Sequence, residues 1–471
     1  MTAKGTLRDY QIADLAFYIA NPKCLNLSEP GTGKTPSVCA MQHFLWFEKG
    51  IGTAFVQPKG LMAKNRREIL KFTNFKPEDV VIVDGTPAQV KAQLESGAKV
   101  FLMGFRRWAL SWKQLPPYVK AVHVDEFHKG FKSAASQGTQ SLFAAFDSGR
   151  MEWFISMTGT IISGKLESAY PAIRVVEPRY YGSYYDFLNQ HAIRDADDKI
   201  IGWMNHQKLA AIFGRHAICR YFKDIFGEQE IVYQTEVAEM IPAQRELYDK
   251  FQEEAILELE KFFIDGTQPG VGFIRARQIM EHPNHFPDLT EPGKFVDLIG
   301  GTLSGKEELL QTHLDDHVER EEPLIIFSPL VPQQQRIAKL LDEAGLRYGM
   351  INGSTPMKDR DVIDQAFQKG ELQVVLCSPA CADVGFNWQF NGKKEVGHII
   401  FTAMDYLDTT FIQAMRRAIR ENRSTPLRVT ILEYADSLDQ RILEIVHAKS
   451  LDAYRVDPNR PVLQLSRFSN D

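Results

Sequence analysis

Three groups of residues in this sequence have the types and spacing that phosphoryl-transfer chemistry needs. The first is SEPGTGKT (28–35), set between an apolar segment, CLNL, and a helix-like run. A strand feeding a glycine-rich turn and then a helix lets backbone amides curl around phosphate oxygens. Glu29, Pro30, Gly31, Thr32 and Gly33 form the turn, with the two glycines supplying the curl, and the helix N-terminus adds partial positive charge. Lys34 is placed to reach the β- and γ-phosphates, and the Thr35 hydroxyl to ligate Mg²⁺. Pro36 suits the first helical turn, where its missing N–H costs nothing. Ser28 stands where the full Walker pattern has Gly.

The second group is Asp125 and Glu126, which follow the apolar alternation AVHV (121–124). A strand ending in two carboxylates places them at the carboxyl edge of a sheet. There Asp125 can hold Mg²⁺ and Glu126 can orient and deprotonate an attacking water. The third is QAMRRAIR (413–420), in which Gln413, Arg417 and Arg420 follow a Q-x-x-x-R-x-x-R spacing. On a helix the two arginines share a face, and an arginine finger stabilises charge building on a transferred phosphoryl group. The competing reading is a basic solvated helix face, which is kept for Arg416 and Arg423. Upstream, ADVGFNW (382–388) follows an apolar run, and its Gly385 and Asn387 suit close approach to a nucleotide and to a nucleic-acid backbone. Cys377 and Cys381 lack nearby His or Cys partners, so a metal site there is not favoured.

These groups need a scaffold that brings strand ends together. Short apolar runs supply it: TAFVQ (53–57), KVFLMGF (99–105), AVHVDE (121–126) and WFISMTGT (153–160), then PLIIFS (323–328), QVVLCS (373–378), HIIFTA (398–403) and RVTILEY (428–434). Runs this short and rich in Val, Ile and Phe predict buried parallel strands, and the amphipathic stretches between them predict crossover helices. The expected fold is α/β: two tandem RecA-like, doubly wound lobes with helical decorations. The reading divides the chain into a first lobe over 1–235, hinge helices with a second lobe over 236–455, and a tail over 456–471. The stretch 236–320 is charged and helical in pattern, broken at 267–272 and 282–293.

The 471 residues suit two or three domains, and 44% hydrophobic with 24% charged residues is ordinary globular composition. A formal charge of −5 gives no global attraction to nucleic acid, so any such binding must come from local patches. Five scattered cysteines, an odd count with no paired CxxC, do not favour a disulfide framework or a zinc ribbon and fit a reducing cytoplasm. No apolar run approaches the ~18–20 residues of a membrane span.

With these segments in order, the chain resembles superfamily 2 helicases and, within them, the Swi/Snf-type DNA translocases, from about Leu7 to Lys449. LRDYQ (7–11) looks like the adenine-reading segment, with Gln11 as reader. QPKGLMAKNRREILKF (57–72) resembles the motif that meets one DNA strand, which makes Lys59, Lys64, Arg66 and Arg67 candidate phosphate contacts against a solvated helix face. SMTGT (156–160) resembles the motif that links the ATP site to the track; His128, Thr158, Gly159 and Thr160 are the coupling candidates. ARQIMEHPNHF (276–286), YGMINGSTPMKDRDVIDQAF (348–367) and MDYLDTTFIQAMRRAIR (404–420) resemble blocks of the Swi/Snf branch. The chain departs from that branch in Pro-Gly-Thr of the phosphate loop, in the residues after Gly159-Thr160, and in ENRSTP after Arg420. These departures count against chromatin remodelling.

The resemblance implies a bare motor, of a kind suiting a bacterial or viral protein: an ATP-dependent, Mg²⁺-using, DNA-stimulated ATPase. It would bind ATP between its lobes and act as a monomer on duplex or branched DNA in replication, recombination or repair. A recombination or replication protein is a candidate partner, and no membrane role is expected. The alternatives are an RNA-dependent ATPase on the same fold and a motor subunit active only with a nuclease or recombination partner. Trp108 and Trp112, like Phe386 and Trp388, could pack on bases; for the first pair a core role is preferred.

Overall fold

The computed structural model describes residues 7–159, 162, 166–265, 270–382, 386–404, 408–419 and 423–456. They form two compact units, the first mainly from the chain up to Gly227 and the second mainly from Glu228 onward. Both are RecA-like α/β lobes, each a parallel sheet with covering helices.

The first sheet holds β1 (Lys23–Asn26), β2 (Gly52–Val56), β3 (Val80–Val83), β4 (Val100–Met103), β5 (Val119–Asp125), β6 (Trp153–Met157) and β7 (Ala217–Ile218). Their order is β3-β4-β2-β5-β6-β1-β7, and every pairing is parallel. Side chains alternate across it: Ala54, Val56, Phe101 and Met103 enter one core, Phe55, Val100 and Leu102 the other. Burial on both faces is why these strands read as unbroken apolar runs. With β5, β6 and β1 side by side, the loops leaving them emerge together at the carboxyl edge, where α/β sheets bind ligands.

The second sheet holds β8 (Ile231–Ala238), β9 (Leu324–Phe327), β10 (Tyr348–Ile351), β11 (Val374–Cys377), β12 (His398–Phe401) and β13 (Leu427–Tyr434). The order is β8-β13-β12-β9-β11-β10, again wholly parallel. Leu324, Ile326, Leu376 and Ile400 pack with Leu310, Leu314, Ile337 and Leu340 from two covering helices. No helix among the described residues is long and apolar enough to cross a membrane.

Two expectations are corrected. The division expected at 235 falls after Gly227, because 231–238 is β8, paired with β13 from Ile231↔Leu427 to Ala238↔Tyr434. β8 is an edge strand, largely half-buried or exposed, so no apolar run marks it in the sequence. The helix expected to carry Gln413, Arg417 and Arg420 runs only over Asp408–Met415. Beyond it the hydrogen bonding tightens to Arg417 N→Ala414 O at 3.1 Å, and the Arg417 carbonyl accepts instead from Trp388 N at 2.8 Å. Arg420 lies outside the described residues, as do Thr160, Gly385 and the tail from 457. The charged stretch forms the expected helices, Pro242–Asp265, Val271–Glu281 and Gly305–Arg320.

Candidate active site

The phosphate loop is shaped by its own chain. Where β1 ends, the Asn26 side chain accepts from Ser28 N at 3.0 Å and starts the turn. Gly31 and Gly33 have φ of 88° and 75°, in the left-handed region that glycine enters without strain. Gly33 caps the helix Lys34–Lys49, whose N-terminus therefore opens onto the loop. A side chain at Gly33 would meet Gln11 Nε2 at 3.0 Å, a second reason for glycine there. Lys34 Nζ donates to the carbonyls of Ser28 at 2.6 Å and Glu29 at 3.1 Å, so the ammonium folds over the loop. Burial pushes its pKa down, against the pull of Glu126, Asp125 and Glu29.

The helix Asp9–Ala20 braces the loop from outside. Tyr10 Oη donates to the Thr32 carbonyl at 2.8 Å and Gln11 Nε2 to the Gly33 carbonyl at 2.9 Å. The other end of the Gln11 amide accepts from Arg8 N at 2.9 Å. Both ends of the Gln11 amide are thus held by backbone groups, one of them in the loop. Gly159, from the turn after β6, closes in from another side: a Cβ there would lie 2.7 Å from Pro30 Cδ. The sequence-predicted Pro30 and Gly159 thus meet directly.

Asp125 ends β5 and Glu126 follows it. Burial, then the neighbouring Glu126, push the Asp125 carboxyl up to about 6, while Lys34, Asn65 and Lys64 pull the other way. Asp125 Oδ2 accepts from Asn65 Nδ2 at 3.3 Å, and Oδ1 from Glu126 N at 3.1 Å. Glu126 has φ 52° and ψ 52°, a conformation non-glycine residues seldom adopt and one that clusters at functional sites. Its buried Oε2 makes no hydrogen bond and lies 3.5 Å from His128 Nδ1, which in turn is 2.8 Å from Thr158 Oγ1. A free carboxylate oxygen at a strained strand end is suited to taking a proton from water. The hard oxygens of Asp125 and Thr35 suit Mg²⁺, and a divalent cation would relieve the cost of ionising buried Asp125.

In the second lobe Gln413 and Arg417 are both buried. Arg277, in the ARQIMEH segment, donates from Nη1 to the Met404 carbonyl at 3.0 Å and so ties that helix to the chain entering 405–420. In YGMINGST…R, Arg360 donates to the carbonyls of Thr355 at 2.8 Å and Asn352 at 2.7 Å, fixing the turn after β10. Phe386 and Trp388 are buried and stacked with ring centroids 4.8 Å apart, and Trp388 Nε1 donates to Asp364 at 2.9 Å. They are core residues, as are the buried Trp108 and Trp112. Asn387 between them is exposed.

The four cations expected to meet a nucleic-acid backbone are not all turned outward. Arg66 is held inward, with Nε donating to the Val80 carbonyl at 2.8 Å and Nη2 to the Pro77 carbonyl at 2.7 Å. Lys59 pairs with Asp84 at 2.7 Å while remaining exposed. Lys64 stands near enough to Asp125 to lower its pKa. Arg67 is exposed. Sequence reasoning missed Asn65, which sits inside that basic cluster yet is buried between Gln57 and Asp125. It also missed Tyr10 on the loop. The one signal was a neutral amide amid charges.

Residues 305–422 match the family described as helicase conserved C-terminal domain. Over 477 residues the chain is 23% identical to Protein CHROMATIN REMODELING 5 of Arabidopsis thaliana, covering 93% of this chain and 26% of that protein. It is 24% identical over 493 residues to SWI/SNF-related matrix-associated actin-dependent regulator of chromatin subfamily A member 1 of Homo sapiens, covering 98% of this chain and 45% of that protein. The chain thus spans between about a quarter and just under half of these relatives' length. Its fold is similar to that of the Pyrococcus furiosus Hef helicase domain, with a TM-score of 0.54, 14% identity, and 94% of this chain and 99% of that chain covered.

Proposed function

We propose, from a chain that carries a superfamily 2 core of the Swi/Snf type, that it hydrolyses ATP under the control of bound nucleic acid and uses the cycle to move along DNA. The observation that carries this reading is the meeting of three segments at one sheet edge in the first lobe. The phosphate loop, the Asp125–Glu126 pair and Thr158 leave adjacent strands, and the His128–Thr158 contact joins the last two.

In this reading the amides of the loop and Lys34 take the β- and γ-phosphates, and Lys34 exchanges its two carbonyl partners for phosphate oxygens. Glu126 holds the attacking water and accepts its proton. Thr35 and Asp125 are the residues that would hold magnesium, which when bound with ATP neutralises phosphate charge. Arg417 and Arg420 are the proposed source of the arginine finger. The turn from Met157 to Gly159 reports the state of the phosphate site, because His128 and Pro30 both press on it.

The proposed track is duplex or branched DNA, gripped mainly through its backbone, so sequence preference should be weak. The matched relatives are named for chromatin, and the motor here is proposed to serve fork or junction remodelling in replication, recombination or repair, in the cytoplasm. The test is steady-state ATP hydrolysis without nucleic acid and with single-stranded, duplex, forked and four-way DNA, and RNA. Stimulation by duplex or branched DNA supports the proposal. Stimulation by RNA alone replaces DNA as the track, and no stimulation by any of them makes an obligate protein partner the better reading.

A further inference from the structure

The phosphate loop is one side of a closed ring of contacts whose other two sides are the helix Asp9–Ala20 and the segment that leaves β7. The first side is already described: Tyr10 and Gln11 bond the carbonyls of Thr32 and Gly33. On the opposite flank, Glu29 N donates to the Arg220 carbonyl at 2.9 Å, and Arg220 N donates to Ser28 Oγ at 3.1 Å. The Glu29 carboxylate accepts from Phe222 N at 2.5 Å. The ring closes through Arg220, whose Nε and Nη2 donate to Asp14 Oδ1 at 2.9 and 2.8 Å. Asp14 lies on the same helix as Tyr10 and Gln11, one turn further on, and is 2% exposed.

Arg220 holds the loop and the helix that braces it at once. Its backbone fixes Ser28 and Glu29. Its guanidinium fixes the helix whose first turn fixes Thr32 and Gly33. Burial holds the Asp14 carboxyl above its ordinary pKa, and the charge-assisted pair with Arg220 offsets part of that rise. The segment carrying Arg220 runs on through Gly227 into the second lobe at Glu228, where the main part of that lobe begins.

We propose that Arg220 is a positioning residue of the ATP site, clamping Asp14 so that the loop's grip on phosphate is set by the segment that runs on into the second lobe. The proposal rests on the ATPase reading above for its functional consequence, and the clamp itself can be tested without it. Arg220→Gln, Arg220→Lys, Asp14→Asn and the double variant Asp14→Asn/Arg220→Gln are compared with the unaltered full chain.

Amide hydrogen exchange without nucleotide tests the clamp. Arg220→Gln should speed exchange in 28–35 and 9–12 together while leaving β2 at its original rate. Unchanged exchange in the loop overturns the proposal. Titration with a fluorescent ATP analogue, with kcat and KM measured on duplex DNA, tests the consequence. Each single neutral variant should weaken nucleotide binding and raise KM for ATP roughly tenfold, with kcat changed less than about twofold. Arg220→Lys should recover part of the loss. The double variant, which leaves no unpaired buried charge, should be no worse than either single one. Multiplying losses would mean Asp14 and Arg220 act independently, and a fall in kcat at constant KM would mean the segment acts on chemistry; either result rejects the clamp. A parental chain that binds no ATP would reject the ATPase reading, while the exchange result would still decide the clamp.

Discussion

His128 Nδ1 lies 2.8 Å from Thr158 Oγ1, and both side chains are buried. The contact spans two strands: His128 follows the carboxylate pair after β5, and Thr158 follows β6. The same imidazole nitrogen is 3.5 Å from the unbonded Glu126 Oε2. One ring nitrogen is thus shared between the proposed base and the turn that carries Gly159 against Pro30. In the proposed mechanism, movement of Glu126 changes which oxygen the ring nitrogen serves, and the turn senses the phosphate site in this way.

Replacing Thr158 by Val keeps shape and removes the hydroxyl. Affinity for ATP should stay within about twofold, while hydrolysis stimulated by DNA falls roughly tenfold and the unstimulated rate changes little. Parallel ATPase titrations with and without duplex DNA check this. An equal loss in both would show that Thr158 serves the chemistry itself.

Glu126→Gln should keep ATP binding and lose turnover by about 10²–10⁴-fold, the range ascribed to general base catalysis. Lys34→Ala should lose nucleotide binding, because a buried ammonium facing Glu126, Asp125 and Glu29 has no replacement. Nucleotide filter binding separates the two variants. Parental hydrolysis by Glu126→Gln would remove Glu126 from the mechanism.

How much of this was legible depends on distance along the chain. The loop's glycines, Lys34 and the carboxylate pair are local patterns, so their residue types declare the turn and the strand end. Strands buried on both faces, such as β2 and β4, declare themselves as apolar runs. β8 does not, because an edge strand left largely half-buried or exposed carries polar residues such as Gln234 and Glu236 among its apolar ones. Asn65 and Arg220 take their meaning from partners 60 and 206 positions away, Asp125 and Asp14. No local pattern reports such a partner, and Asn65 was masked by the basic residues around it. The resemblance to a family supplied motif order, yet it assigned Arg66 to the track when its guanidinium is committed to backbone carbonyls.

Asp125 should make stability depend on pH in the direction opposite to a salt-bridged carboxylate. Its folded pKa, about 6, lies above the ordinary 3.8, so the folded lobe binds this proton more tightly than the unfolded chain. The cost of ionising it is absent below about 3.8, grows as pH rises to about 6, and is complete above that. Asp125→Asn should therefore stabilise the first lobe at pH 7.5 by on the order of 1–3 kcal/mol, with the gain vanishing as pH falls towards 4. Thermal unfolding of both proteins across this range decides it. A variant less stable than the parent at pH 7.5 would mean that the Lys34 ammonium depends on Asp125 more than burial opposes it.

Arg66 and Arg67 are neighbours in sequence with opposite expected phenotypes. Arg66 bridges the helix Met62–Phe72 to the carbonyls of Pro77 and Val80, so Arg66→Ala should lower thermal stability by about 1–3 kcal/mol through the carbonyl bonds it loses. Arg67 is exposed on the same helix. Arg67→Ala should leave the unfolding temperature in place and weaken duplex DNA binding, reducing the slope of log K against log salt by about one. Fluorescence anisotropy at several salt concentrations, beside thermal melts, separates the two. If Arg67→Ala leaves both affinity and salt slope unchanged, this helix face is not on the track, and the proposed DNA contact must lie elsewhere on the first lobe.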